Sequence, residues 1–179
     1  MIEEEWDTPE LSEIESFVRQ AAPLAWPANV GDALSPNLPG FFESTAQIGD
    51  FVFVDLFGGA RTDVGFEVVL YRGRLVWGAS YRGGLSDPAI DVAAAYDFLG
   101  RALGARPADA LPVRGPREYQ EEDSPWLYRH EITGDFGGFT SLERMYFADG
   151  PPLYERITVG GTTGDHASYL QWVDIATTL

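Results

Sequence analysis

The sequence predicts an α+β fold. It reads as a tandem helix-plus-antiparallel-strand repeat whose strands form one curved antiparallel sheet or two packed sheets, with the helices on one face. Three observations predict it. Residues 51–84, FVFVDLFGGARTDVGFEVVLYRGRLVWGASYRGG, intersperse β-branched and aromatic runs with turn signals, the pattern of half-buried strands. Residues 126–161 echo that logic, and an apolar stripe at helical spacing precedes each stretch.

In chain order, Glu3, Glu4 and Glu5 open an acidic, frayed N-terminus. Thr8 caps the first helix and Pro9 takes its first position; Leu11, Ile14, Phe17, Val18 and Ala21 form its apolar stripe, and Pro23 is expected to end it. Residues 22–40, interrupted by Pro23, Pro27, Pro36 and Pro39, read as an irregular cover with Trp26 and Leu34 tucked beneath it. Residues 41–46 form an added strand that turns at Gly49-Asp50 into the first long one. Gly58-Gly59 with Arg61-Thr62-Asp63 makes the next turn. Arg72-Gly73 then closes a two-residue hairpin, where glycine supplies the positive φ that such turns need. Ser86-Asp87-Pro88 reads as the cap and first turn of a second helix running to Leu103, with Val92, Ala95, Tyr96, Leu99 and Leu103 on its buried face and Gly104 as its stop. Residues 105–125 are loop, strands resume at Trp126, and residues 168–177 fit a short helix or a strand equally.

Hairpin symmetry sets the register. Around Arg72-Gly73, Tyr71 faces Arg74, Val69 faces Val76, Val68 faces Trp77 and Glu67 faces Gly78. A first hairpin symmetric about Arg61 puts Asp55 opposite Glu67. Facing carboxylates repel, so this pair needs an arginine, a metal, a shared proton or solvent. In the second unit, pairing Phe147 with Pro152 puts Glu143 opposite Arg156 and Arg144 opposite Glu155, and a symmetric hairpin puts His130 opposite Glu143. At a constant offset Phe51 meets Trp126, Phe53 meets Tyr128 and Asp55 meets His130; with one inserted turn residue Glu67 meets Glu143, and with one more Trp77 meets Tyr154. The expected repeat covers residues 10–84 and 87–161, with an extension over 162–179, all in one domain.

Composition narrows the function classes. A chain of 179 residues, 45% hydrophobic and 13% aromatic, suits one domain with a full core. It contains no cysteine, which excludes disulfides, zinc–thiolate sites and thiol nucleophiles. There is neither an apolar run of membrane-spanning length nor a signal-peptide pattern, so a cytoplasmic location and no membrane partner are expected. The net charge is −16 and all 12 cationic side chains are arginine, a field that opposes phosphate backbones; no nucleic-acid partner is expected. An acidic, lysine-free composition fits a salt-accumulating halophile and a GC-rich genome alike.

Reaction motifs fail one by one. Without lysine there is no GK[ST] phosphate loop and no Schiff-base chemistry. Gly78-Ala79-Ser80-Tyr81-Arg82 has Arg82 in place of the last glycine of a nucleophile elbow and sits within a strand. His130 and His166 match no metalloprotease spacing, and His166 reads as solvated, so no metal or cofactor is expected.

One constellation is left. A face of the second unit carries Trp126, Tyr128, Met145, Phe147 and Tyr154, crossed by a line of His130, Glu143 and Arg156, while Arg129, Glu131, Arg144 and Glu155 fall on the solvated side. The matching face of the first unit carries Phe51, Phe53, Asp55, Glu67, Val69 and Tyr71. Aromatic walls around a few polar groups make a ligand pocket; the same groups also fit an ion-pair network that holds strand register. Trp77 and Tyr154 read as core. Arg114 reads as a loop clamp onto a carboxylate or backbone carbonyls, or as an anion binder. The candidate ligand-binding residues are therefore Asp55, Glu67, His130, Glu143, Arg156, Tyr128, Trp126 and Arg114.

The segments FVFVDLFGG, GFEVVLY, LVWGASYRGG, VRGPREY, SLERMYF and LYERITVGG resemble the domain-of-unknown-function family 5680, over residues 17–161. Asp55, Gly58, Glu67, Trp77, Tyr81, Arg114, Gly115, Pro116, Glu143, Tyr154, Glu155 and Gly161 fall on the family pattern, whereas Val54 stands where that pattern usually has a basic residue. Some members are described as helix-turn-helix regulators of XRE type, with this domain behind a DNA-binding module. The resemblance thus implies a sensing or partner domain; with only one helix ahead of the strands, the DNA-reading part is expected to be missing here.

The leading expectation is a cytosolic small-ligand-binding or sensor-like domain with an aromatic-lined polar pocket. The alternatives are a carboxylate- or metal-dependent enzyme using Asp55 and Glu67 in different protonation states, and a structural dimerisation module whose aromatic face a second copy buries.

Overall fold

In the computed structural model, which describes residues 7–25, 34–35 and 38–163, the strand-forming runs pair into one antiparallel sheet of eight strands, joined by two helices. The elements are α1 (Leu11–Ala25), β1 (Phe42–Ile48), β2 (Phe51–Gly59), β3 (Thr62–Tyr71), β4 (Arg74–Leu85), α2 (Val92–Gly104), β5 (Glu118–Gln120), β6 (Trp126–Asp135), β7 (Gly138–Phe147) and β8 (Pro152–Thr162). Their order across the sheet is β1-β2-β3-β4-β8-β7-β6-β5, so β4 and β8 meet at the centre and each helix is followed by an up-and-down run of four strands. The fold is mainly β, and a single sheet forms rather than two packed ones. The expectations for Glu3–Glu5, Trp26, His166 and residues 168–177 lie outside the described residues. No helix among the described residues is long and apolar enough to cross a membrane.

Both helices start later than expected, and local hydrogen bonding explains why. At α1 the Glu13 carboxylate accepts from the Glu10 amide at 2.9 Å, doing the capping expected of Thr8. The helix also passes through Pro23 to Ala25: only one turn remains to be disrupted, and Ala22 and Ala25 are fully buried. At α2, Asp91 is the cap, accepting from the Ala93 and Ala94 amides. The segment around Ser86 stays outside the helix because Arg61 donates to the Asp87, Pro88 and Ile90 carbonyls, and the Asp87 carboxylate accepts from the Ala89 amide. The buried face of α2 is Ala95, Phe98, Leu99 and Ala102, with Val92, Tyr96 and Leu103 only partly covered. Leu34, expected beneath the cover, is 66% exposed.

Asp55 pairs with Glu67, His130 with Glu143, Glu143 with Arg156 and Arg144 with Glu155, all as hairpin symmetry predicts. The β3–β4 register departs from prediction. An irregularity between Val69 and Leu70 admits Val76 as an extra residue, so Val69 faces Trp77, Val68 faces Gly78 and Glu67 faces Ala79. A second irregularity after Met145 pairs Tyr146, not Phe147, with Pro152. The extra residue turns Trp77 onto the inner face, where it is 1% exposed and donates its indole N–H to the Phe136 carbonyl at 3.0 Å.

The two apolar clusters share that inner face. Under α1, Phe17 and Val18 meet Phe53, Val69, Trp77 and Phe139; under α2, Phe98 and Leu99 meet Tyr128, Met145 and Tyr154. Apart from Phe147, which is 42% exposed, the aromatic walls are therefore covered by the protein's own helices. Burial of each large side chain contributes about 1.5–3 kcal/mol, which is what fixes the helices over the two ends of the sheet. The stretch between the clusters is polar.

Candidate functional site

Alternation along β2, β3, β4, β7 and β8 directs Asp55, Glu67, Tyr81, Glu143 and Arg156 to this polar centre, all of them buried. Arg156 is its hub. Its guanidinium carbon lies 3.5 Å from the centroid of the Tyr81 ring, and its nitrogens stand 3.8 Å from Asp63, 4.0 Å from Glu67 and 3.8 Å from Glu143. Tyr81 can lie across its neighbours because Gly65 faces it: a Cβ on Gly65 would fall 2.3 Å from the ring. From there the Tyr81 hydroxyl donates to Asp55 Oδ1 at 2.8 Å.

Glu143, 0% exposed, accepts from Arg114 Nε at 3.0 Å and from the Tyr128 hydroxyl at 2.6 Å. Arg114 comes from the segment between α2 and β5 and has a left-handed backbone, φ 67°. Residues 112–116 of that segment are buried and held in place: Arg106 donates to the Arg114 carbonyl, and His130, with its proton on Nδ1, donates to the Gly115 carbonyl at 3.3 Å. His130 is thus an anchor for the Arg114 loop.

The charges divide into two states. Burial alone would raise the Glu143 pKa, but Arg114 and Arg156 outweigh it and hold the carboxyl below its ordinary range. Asp55 goes the other way. Burial and the facing Glu67 push its carboxyl up to about 7, against the opposing pull of Tyr81, Arg156 and Arg114. Burial lowers the His130 pKa, keeping the ring neutral, and raises that of the Tyr81 phenol.

A cavity of about 1000 Å³ opens between α2 and this centre, lined in part by Asp55, Asp63, Tyr81, Arg114, Tyr154 and Arg156. Phe57, Tyr96, Leu99 and Leu103 supply apolar wall, while Gly100 and Gly104 of α2 leave space on the helix side. Of the residues predicted from sequence, Asp55, Arg114 and Arg156 reach the cavity, and Glu67, Glu143, His130 and Tyr128 belong to the buried network beside it. Trp126 does neither: it stacks on Phe98 in the core under α2. Sequence reasoning missed Tyr81, Asp63 and Tyr96. The missed signal was the strand irregularity, which puts Tyr81 on the same face as Asp55. No three carboxylate or imidazole groups converge as a metal site among the described residues.

The family model for the domain of unknown function DUF5680 matches residues 55–163, a span that contains every strand from β3 to β8 and all the polar side chains of the centre. No curated protein and no solved structure matches the chain. By that match over more than half its length, the chain belongs to the DUF5680 family.

Proposed function

We propose that this chain is a small-ligand-binding domain of sensor type, and that its ligand sits in the cavity between α2 and the polar centre. The observation that carries this reading is a cavity of about 1000 Å³ walled by aromatic and aliphatic side chains around Asp55, Arg114 and Arg156. Buried atoms at its wall that have no hydrogen-bond partner, Asp63 Oδ1 and Tyr154 Oη, support it, because buried polar groups are normally satisfied. Gly100 provides the test. A Cβ there meets nothing within 4 Å and points into open space, so Gly100→Trp fills the cavity from a helix that tolerates the change. Compounds from a metabolite library that raise the wild-type melting temperature are expected to leave Gly100→Trp unmoved; equal shifts in both proteins, or no shift from any compound, overturn the reading.

A second reading is acid–base catalysis by Asp55 and Glu67, supported by the Asp55 carboxyl being pushed up to about 7 beside a second carboxyl. It requires that a bound compound also be converted, which the same incubations followed over time would register. We further propose that the two four-strand runs descend from one duplicated unit. Matching registers, Asp55–Glu67 against His130–Glu143, and irregularities after Val69 and Met145 support this. A crystal structure whose halves superpose only after a slip of two or more residues overturns it.

A further inference from the structure

The way charge is distributed around the cavity narrows the chemistry of its occupant. Its guanidiniums are already engaged. Arg114 is hydrogen-bonded to Glu143; Arg156 has the Tyr81 ring on one face and the carboxylates of Asp63, Glu67 and Glu143 around it; Arg101 at the rim is paired with Glu121 and Asp97. Arg106 donates to the Arg114 carbonyl. An anionic ligand would have to displace a carboxylate from a buried pair, which leaves a charge uncompensated.

Acceptors, in contrast, have hydrogen-bonding capacity left. Asp55 forms no ion pair among the described residues and receives only the Tyr81 hydroxyl. Asp63 Oδ1 is buried without a hydrogen-bond partner, and so is the hydroxyl of Tyr154, a side chain that is 0% exposed and lines the cavity. Phe57, Tyr81, Tyr96 and Tyr154 line the same space, and an aromatic lining suits a cation. Resting on the ligand-binding reading above, we infer that the occupant is an organic cation, an amine, amidine or guanidine on an apolar body, whose N–H groups are received by Asp55 and Asp63 Oδ1 with the Tyr154 hydroxyl alongside. The apolar body lies against Phe57, Tyr96 and Leu103.

The pH dependence has a fixed sign. Asp55 on β2 is faced by Glu67 on β3, Tyr81 on β4, Arg156 on β8 and Arg114 from the loop after α2, and with burial these bring its carboxyl to about 7. Its charge is therefore present above neutrality, and a cation binds better there.

The experiment is an NMR titration of the full chain with three probes sharing one body: phenethylamine, 2-phenylethanol and 3-phenylpropionate. Phenethylamine is expected to bind roughly tenfold more tightly than either partner at about pH 8, and to lose roughly tenfold at about pH 6 and in Asp55→Asn. Circular dichroism establishes that the variant is folded. Equal or tighter binding of 3-phenylpropionate, an amine affinity untouched by Asp55→Asn, or no amine binding at all overturns the inference. If the acid binds and Gly100→Trp abolishes that binding, the cation inference fails while the ligand-binding reading stands.

Discussion

Asp55 and Glu143 are carboxylates on the same face of the same sheet, both buried, with pKa values shifted in opposite directions. The difference lies in their cationic neighbours: Glu143 has Arg114 at 3.0 Å, whereas Asp55 has a tyrosine hydroxyl and a second carboxylate. That asymmetry predicts a measurable effect on stability. The folded-state pKa of Asp55, about 7, lies above its unfolded value of 3.8, so between those values the folded protein holds a proton that the unfolded chain has released. The resulting stabilisation is complete below the unfolded pKa and is lost as pH rises through about 7. Asp55→Asn keeps an acceptor for Tyr81 and removes the titration. Its stability relative to wild type is therefore expected to improve as pH rises from about 5 to about 8, by at most about 3 kcal/mol. Urea denaturation at the two pH values checks this; a difference that does not change with pH counts against the assignment. Much of this was legible beforehand, because hairpin symmetry alone pairs Asp55 with Glu67 and His130 with Glu143 and Arg156. Tyr81 was not, since the strand irregularity that turns it inward leaves no local mark in the sequence.

Among the elements, the β4–β8 seam is a tight approach. A Cβ on Gly83 would lie 2.4 Å from the Glu155 carbonyl oxygen and 2.5 Å from Arg156 Cα, backbone atoms that cannot move without parting the strands. Gly83→Ala is expected to destabilise by more than about 1 kcal/mol and to disturb Arg156. Gly100→Ala on α2, whose Cβ meets nothing within 4 Å, is expected to stabilise by about 0.5–1 kcal/mol. Thermal unfolding of the two variants checks the contrast, and a neutral Gly83→Ala would contradict the seam geometry. The helices illustrate the limits of local signals. Apolar spacing located both of them, but Glu13 and Asp91 displaced the expected caps, and the clamp from Arg61 kept residues 86–90 out of α2.

The molecule as a whole carries a net charge of −16, with 28 acidic and 12 basic side chains. Self-repulsion among exposed acids destabilises the compact state where screening is weak, and the Debye length falls from about 30 Å at 0.01 M salt to about 3 Å at 1 M. The melting temperature is expected to rise with sodium chloride across that range. The buried pairs of Arg114 and Arg156 are screened little, so the gain comes from surface acids. Glu121, expected among the solvated ones, is in fact held at 2.5 Å by Arg101 and contributes less than Glu122 or Asp123. Neutralising six acids drawn from residues 3–5 and 121–123 is expected to reduce the salt response more than twofold. A melting temperature flat from low to molar salt contradicts the self-repulsion argument.

The sequence by itself determined the two helices, every strand except β5, which lies in residues expected to be loop, and most of the pairing within hairpins. These depend on short-range rules: a side-chain period of two, a turn of defined length, an apolar stripe of helical spacing. Only the tertiary structure decided that one sheet forms, that β4 and β8 join its halves, and that the helices cover the aromatic walls and leave the cavity over the polar centre. Those outcomes bring together residues as far apart as Asp63 and Arg156, or Arg114 and Glu143, and no local pattern encodes them. They follow from which buried surfaces pack best at long range. The same packing leaves Asp55 beside a carboxylate while giving Glu143 its two arginines.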